Sequence, residues 1–324
     1  MPFTPDPDRF RFPAPLAAGV KGKRVLISGA GKDRGLGQAL ALAAGLSGAA
    51  HVGVHFHASY DDGLDLVAFL QKEGVAAFPV QADVTNLGDL WATRSYVIDR
   101  MGGKPPDLLI CNSGLSEKGY LLGRTLREVE GESRAMRRAR VRQAFMSSLG
   151  ESTRVLDTKV DGFLAMTHLW AGEAVHAGTP LRVVYISSRQ AVDPGPGVPG
   201  YVLANWAVLA LPRLLEVNLG KSAPLISPFS VLLPFVRTGM TDEYAANPKV
   251  FGRWQPRMLE PFEAARCLFQ ALARSDEETR GRMLELAVDP GEGGIRTTWR
   301  EARLTFSDSA IPWSEAEPLL HPGS

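Results

Sequence analysis

From Lys23 to about Gly294, short apolar runs alternate with segments of helical periodicity, and this alternation restricts the fold more than any other feature of the chain. Each parallel strand pair needs a crossover long enough to hold a helix, so the pattern implies a parallel sheet with helices on both faces. Lys23-Arg24-Val25-Leu26-Ile27-Ser28 reads as the first strand, Leu181 to Ser188 as a buried central one, and Met283 to Gly291 as the last. A chain of 324 residues, 45% of them hydrophobic, can bury one sizeable core. One doubly wound α/β domain absorbs nearly all of it.

Gly29-Ala30-Gly31-Lys32-Asp33-Arg34-Gly35-Leu36-Gly37 follows the first strand and opens a helix near Gln38. Glycines there let a helix N-terminus approach a pyrophosphate, whose charge the free amide groups and the helix dipole favour. The fold expected is therefore Rossmann-like. The second strand, His51 to Ser59, ends without the acidic residue that usually holds the ribose 2′-hydroxyl of NAD. With Lys32 and Arg34 in the turn, NADPH is the expected cofactor, the alternative for both cations being a solvated loop. The strand-end His57 joins Gly29, Gly31, Gly35, Leu36 and Gly37 among the expected cofactor-binding residues.

Tyr201 follows Ser188 by 13 positions and opens a helix in which Asn205 lies one turn further along the same face. Reducing a ketone with a nicotinamide hydride leaves an alkoxide, which needs a proton donor and a second group to hold its oxygen. A tyrosine hydroxyl can donate, but its ordinary pKa near 10 is too high for easy exchange at neutral pH, and a nearby ammonium lowers it. Ser188 is the expected carbonyl-holding serine, with Ser187 as its rival.

Together these residues resemble the short-chain dehydrogenases/reductases, and more narrowly the ketoreductase domains of modular polyketide synthases and animal-type fatty acid synthases. Most members carry YxxxK, with an asparagine on the preceding helix. Here Asn205 stands on the tyrosine helix, and Leu156-Asp157-Thr158-Lys159-Val160-Asp161-Gly162 carries the lysine, the exchange seen in the ketoreductases, where KVDG is a common string. The resemblance assigns Lys159 both the lowering of the Tyr201 pKa and the nicotinamide ribose. The long glycine-rich turn resembles the GAGKD-type turns of fungal fatty acid synthase ketoreductases. Asp83-Val84 resembles the adenine-contacting DV pair, Asn112-Ser113-Gly114 the NNAG strand end, and Pro234 to Thr238, with Val236 between, the PGxxxT segment that caps the nicotinamide. Phe235 replaces a glycine in that last segment.

Formal net charge is +1, so no global field recruits nucleic acid or an anionic membrane. The two cysteines, Cys111 and Cys267, imply neither a disulfide framework nor a zinc site and suit a reducing cytosol. His55 and His57 alternate on one strand with no further ligands nearby in sequence, so no metal is expected. The N-terminus lacks a basic region followed by an apolar stretch, and no uninterrupted apolar segment looks long enough to span a bilayer. A cytoplasmic homo-oligomer is expected.

Gly114 and Lys159 stand 45 positions apart, roughly twice the family spacing and too far for an unstructured connection. The organisation expected is a proline-rich arm over residues 1–21, a reductase domain over 22–294 and a tail over 295–324. Within the domain, 115–153 is an inserted helix or helical pair and 239–258 a substrate lid. The insertion concentrates Arg134, Arg137, Arg138, Arg140 and Arg142, either a solvated face paired with its glutamates or a docking surface for an acidic acyl carrier protein. The activity expected is NADPH-dependent reduction of a β-keto group on a carrier-bound, coenzyme A-bound or small-molecule substrate. The alternatives are a reductase or dehydrogenase of a small free ketone or alcohol, and a non-catalytic NADP(H) sensor.

Overall fold

The computed structural model describes residues 5–117, 129–195, 197–242, 251–252, 254–291 and 294–303. Eight strands form one sheet: β1 (Arg24–Ile27), β2 (His51–Phe56), β3 (Ala77–Gln81), β4 (Leu108–Cys111), β5 (Leu181–Ser188), β6 (Ile226–Leu233), β7 (Met283–Gly291) and β8 (Gly294–Ala302). Their order is β3-β2-β1-β4-β5-β6-β7-β8, with every neighbouring pair parallel except β7 and β8. The order reverses between β1 and β4, the crevice where a doubly wound sheet accepts a dinucleotide.

Helices cover both faces. After the short α1 (Ala14–Ala17) come α2 (Leu36–Leu46), α3 (Tyr60–Lys72), α4 (Leu87–Arg100), α5 (Arg134–Leu156), α6 (Gly162–Ala177), α7 (Pro199–Ala207), α8 (Leu211–Leu219) and α9 (Pro261–Leu272). Leu40, Leu66, Leu70 and Leu268 fill one core layer through α2, α3 and α9. Leu90, Val97, Phe163, Trp170 and Leu211 fill the other through α4, α6 and α8.

Two segments expected to flank the domain pack onto it. The N-terminal arm is built into the core: Phe10 and Phe12 set their rings edge-on to Phe262 and Phe269 of α9, at 5.3 and 5.0 Å. The expected tail instead begins with β8, which pairs antiparallel with β7 along its full length. Its sequence, Ile295-Arg296-Thr297-Thr298-Trp299-Arg300, lacks an apolar alternation because an edge strand faces water, and its arginines block further pairing. Residues 304–324 lie outside the described residues.

Among its described residues the insertion forms one long helix. Ser133 caps α5, which passes through a π-turn at Asp157–Asp161 straight into α6, a run of roughly 65 Å at about 1.5 Å per residue. Residues 118–128 of the insertion and 243–250 of the lid lie outside the described residues. One helical run, Pro199–Ser222, is long and apolar enough by length and composition alone to cross a bilayer. It is broken by a 3-10 turn at Val208–Ala210 and buries Ala204, Asn205, Val208 and Leu211 against the sheet, while Leu203, Trp206 and Val217 face outward.

Candidate active site

The ends of β1 and β4 are knitted together at the reversal point. Ser28 Oγ accepts the backbone N–H groups of Asn112 and Ser113 at 2.9 and 3.1 Å, and Asn112 Nδ2 donates to the carbonyls of Ser28 and Gly29 at 3.2 and 3.1 Å. Above this floor, α2 starts at Gly35, which supplies no side-chain cap, so its first amides are left for a ligand. Close approach is what the glycines provide. A Cβ at Gly37 would stand 2.3 Å from the Gly29 carbonyl oxygen, one at Gly29 2.8 Å from Ser113 Cα, and one at Gly31 2.6 Å from Phe56 Cβ. The turn is further pinned by Gln38, whose Oε1 accepts the Arg34 N–H at 3.0 Å while Arg34 adopts a left-handed φ of 53°.

Both cations of the turn have acidic partners. Lys32 Nζ lies 3.5 Å from Asp62 Oδ2, which also accepts the Asp33 N–H at 3.1 Å, and Arg34 Nη2 lies 3.2 Å from Asp242 of the lid. Asp62 stands on the first turn of α3, so an acid does reach the turn even though β2 carries none at its end. His57 Nε2 lies 3.8 Å from Asp83 Oδ2. Asp83 grips Thr85 through its N–H and hydroxyl, and these bonds hold its carboxyl below the usual range although partial burial pushes the other way. Val84 packs on Gly162, where a Cβ would come within 2.7 Å of it.

At the other side of the crevice, Ser188 ends β5 and Tyr201 and Asn205 face it from α7. Burial raises the Tyr201 phenol pKa, and hydrogen bonds with Ser188 and Asn205 pull it partly back. Asn205 is wholly buried; its Nδ2 donates to the Tyr201 carbonyl at 2.8 Å, and its Oδ1 has no hydrogen-bond partner among the described residues. Ser187, the rival serine, turns away and donates to the Asn205 carbonyl at 2.8 Å, holding α7 to the strand.

Lys159 lies on the π-turn, a helix defect that often marks a functional position. It is 5% exposed, its ammonium 4.9 Å from the Phe163 ring centre and 3.9 Å from where a Gly114 Cβ would be. Burial lowers its pKa to about 7, with the Cys111 thiol opposing weakly. The ammonium lies beside the Gly114 backbone at the end of the β4 floor.

The segment after β6 turns back beside α9. Val236 bridges to Leu259, Arg237 N–H donates to the Leu259 carbonyl at 2.8 Å, and the Thr241 hydroxyl ties Val236 and Thr238 into a tight loop. Phe235, standing where the resembled motif has glycine, packs its ring 4.8 Å from Phe251 and 5.4 Å from Trp254, both in the segment expected to be the lid. Sequence reasoning missed Asp62 and Asp242 because each acts on a partner brought to it by the fold; it also missed Gln38, whose bond to Arg34 is local and whose burial inside an apolar helix was the available signal.

The short chain dehydrogenase profile matches residues 23–249. Among solved structures, a short-chain type dehydrogenase/reductase from Mycobacterium marinum superposes with a TM-score of 0.65 at 24% identity, covering 84% of this chain and 96% of its own. A gluconate 5-dehydrogenase from Burkholderia cenocepacia, in complex with NADP and tartrate, gives 0.64 at 18% identity, with 86% and 96% covered. A 3-oxoacyl-[acyl-carrier protein] reductase from Brucella melitensis gives 0.63 at 22% identity, with 88% and 95% covered. No curated protein sequence matches the chain.

Proposed function

The chain belongs to the short chain dehydrogenase family, and we propose that within it the protein is an NADPH-dependent ketoreductase that reduces a β-keto group, carried on a thioester or a polyketide-like chain, to the hydroxyl. The observation that carries this reading is the convergence of the Tyr201 phenol with Ser188 and Asn205 opposite a buried Lys159 at the sheet reversal. The crevice suits a dinucleotide: Gly29, Gly31 and Gly37 leave no room for side chains, and the start of α2 offers free amides beside them. Gly35 and Leu36 begin that helix, Asn112 to Gly114 form the floor, and Pro234, Val236 and Thr238 line the turn assigned to the nicotinamide. NADPH, when bound, supplies the hydride.

The protein's own part is proton transfer and positioning. Ser188 holds the carbonyl oxygen, Tyr201 gives it a proton, and the orphan Asn205 Oδ1 accepts a hydrogen bond that completes the relay behind the phenol. Lys159, nearly neutral-poised with a pKa of about 7, holds the ribose and exchanges protons near physiological pH. Lys32 and Arg34 are the residues for a 2′-phosphate, released from Asp62 and Asp242 when it binds. The setting is cytoplasmic, where two buried thiols stay reduced; burial pushes the Cys111 thiol up to about 12. The outward apolar face of α5 and α7, with Phe145, Leu149, Leu203 and Trp206 exposed, is the surface for a homo-oligomer.

For a carrier-bound substrate, the docking surface is the exposed Arg134, Arg138 and Arg142 of α5; Arg140 is already held by both oxygens of Glu132, at 2.7 and 2.8 Å. NADPH oxidation is followed by absorbance against β-ketoacyl thioesters on carrier protein, on a short pantetheine-like surrogate, and against simple ketones. Rates on β-ketoacyl thioesters well above those on simple ketones support the reading, and activity on simple ketones alone replaces it with a small-ketone reductase. Reversing the three arginines to glutamate slows the carrier-bound substrate and spares the surrogate, more so at low salt. Equal responses remove the carrier protein.

A further inference from the structure

The helix that carries Tyr201 begins without a cap of its own. Its N-cap is Val198, whose side chain offers no acceptor and whose backbone sits in the left-handed region at φ 55°, an uncommon state for a β-branched residue. Pro199 and Gly200 follow, so the third helical residue, Tyr201 itself, has an amide with no local partner. That amide donates at 2.8 Å to Oε2 of Glu117, a residue 84 positions upstream in the segment leaving the β4 floor. Glu117 is 1% exposed. Its other oxygen, Oε1, accepts the Ser152 hydroxyl of α5 at 2.6 Å. A Cβ at Gly200 would stand 2.5 Å from Ser152 Cα, so α5 and α7 are in backbone contact at this point.

We infer that Glu117 is a positioning residue for the catalytic tyrosine: a carboxylate from the insertion that caps the Tyr201 helix and fixes it to the helix carrying Lys159. Ser152 precedes Lys159 by two helical turns on the same continuous rod, so one buried carboxylate sets the spacing between the phenol and the ammonium. Burying a carboxylate is unfavourable unless it accepts hydrogen bonds, and here it accepts them from the two elements whose relative position matters. Its charge also faces the positive end of the α7 dipole. The strained Val198 backbone persists because the turn is held from outside rather than by its own sequence.

The inference rests on Tyr201 being the proton donor, so its test includes a readout that needs no turnover. With the tyrosine ring carbons labelled, the Tyr201 resonance is identified by its loss in Tyr201→Phe; the chain has six tyrosines. In Glu117→Ala the Tyr201 resonance and its titration midpoint shift, while the other five hold still and the protein stays folded by melting. In Glu117→Gln, which keeps an acceptor for the Tyr201 amide, they return close to wild type. In turnover, Glu117→Ala lowers kcat at least tenfold with KM for NADPH within twofold, Glu117→Gln recovers most of the loss, and Ser152→Ala gives an intermediate drop. Glu117 is a general packing residue, and the inference is overturned, if all six resonances move together, if Tyr201 does not move, or if Glu117→Gln falls as far as Glu117→Ala. A wild-type protein that reduces no ketone refutes the proposed activity but leaves the resonance result to decide the cap.

Discussion

A methyl group added at Gly37, on the cofactor side, would stand 2.3 Å from the Gly29 carbonyl oxygen and 2.7 Å from Asn112 Nδ2; one added at Gly150, on α5, would meet nothing within 4 Å. The two regions border one crevice and are built on different rules. Around the glycine-rich turn the backbone itself is the binding surface we propose, so what holds the fold and what would hold a ligand are the same atoms. Along α5, α6 and α7 the working groups we propose are the tips of Lys159, Tyr201 and Asn205, carried on helices whose packing comes largely from other positions. Chemistry and stability are therefore inseparable at the turn and separable on the helices.

The largest effect that bears on this contrast is Tyr201→Phe. Only a hydroxyl is lost, so turnover should fall by about 10²–10⁴, the usual worth of a positioned proton donor, while NADPH affinity and melting temperature change little. Ketone reduction that survives at a tenth of the wild-type rate or more would remove Tyr201 from the chemistry.

Lys159→Met separates the two quantities in opposite directions. The folded-state pKa of about 7 lies below the ordinary 10.5, so between those values the unfolded chain binds more protons and stability rises with pH. Below pH 7 the folded protein bears the full cost of a buried ammonium, on the order of a few kcal/mol, which fades toward pH 10.5. Removing the charge should raise the melting temperature most at pH 6 and much less at pH 9, while the rate collapses. An equal gain at both pH values means that the ammonium is not buried in solution, and an unchanged rate removes Lys159 from the chemistry.

One substitution made at both glycines should have opposite signs. Gly37→Ala should destabilise by about 1–3 kcal/mol and lose cofactor together with stability, because backbone must move to make room. Gly150→Ala should stabilise by roughly 0.5–1 kcal/mol through helix propensity, with activity intact. Chemical denaturation with and without NADPH measures both. A neutral Gly37→Ala would mean that the turn has slack, and the distinction between the regions would fail on the cofactor side.

The same contrast governs how much could be read in advance. The strands and the glycine-rich turn are local patterns: apolar runs of strand length and glycines at fixed offsets from a strand end. The spacing of Ser188, Tyr201 and Asn205 is local as well, and these three do meet in the structure. What escaped notice is made at long range. Glu117 finds Tyr201 across 84 positions, Arg34 finds Asp242 across 208, and neither pairing leaves a periodicity. β8 escaped for a different reason: an edge strand rich in Arg and Thr looks like a polar tail until a partner supplies its hydrogen bonds. Lys159 shows the limit of motif reading, since the motif locates the residue but the π-turn decides where its ammonium points.

The smallest effect tests the one place where the cofactor turn depends on a distant side chain. β2 is followed by His57 and no acid, which favours a 2′-phosphate, yet Asp62 reaches Lys32 from the start of α3 at 3.5 Å. Both side chains are substantially exposed, at 70% and 36%, so their pairing contributes at most about 1 kcal/mol. A dianionic phosphate with its additional charge outcompetes one carboxylate for Lys32, and the wild type should prefer NADPH over NADH at least tenfold, about 1.4 kcal/mol. Asp62→Asn removes both the competitor and the repulsion, and should tighten NADPH by a further two- to fivefold while leaving NADH unchanged. Isothermal titration separates the outcomes. Equal wild-type affinities would deny the turn any 2′-phosphate role, and a variant that loses NADPH would mean that Asp62 serves to hold the turn through the Asp33 amide. In that second case even the charged residues of this region would act as backbone supports, and the division between the two sides of the crevice would be sharper than the glycines alone indicate.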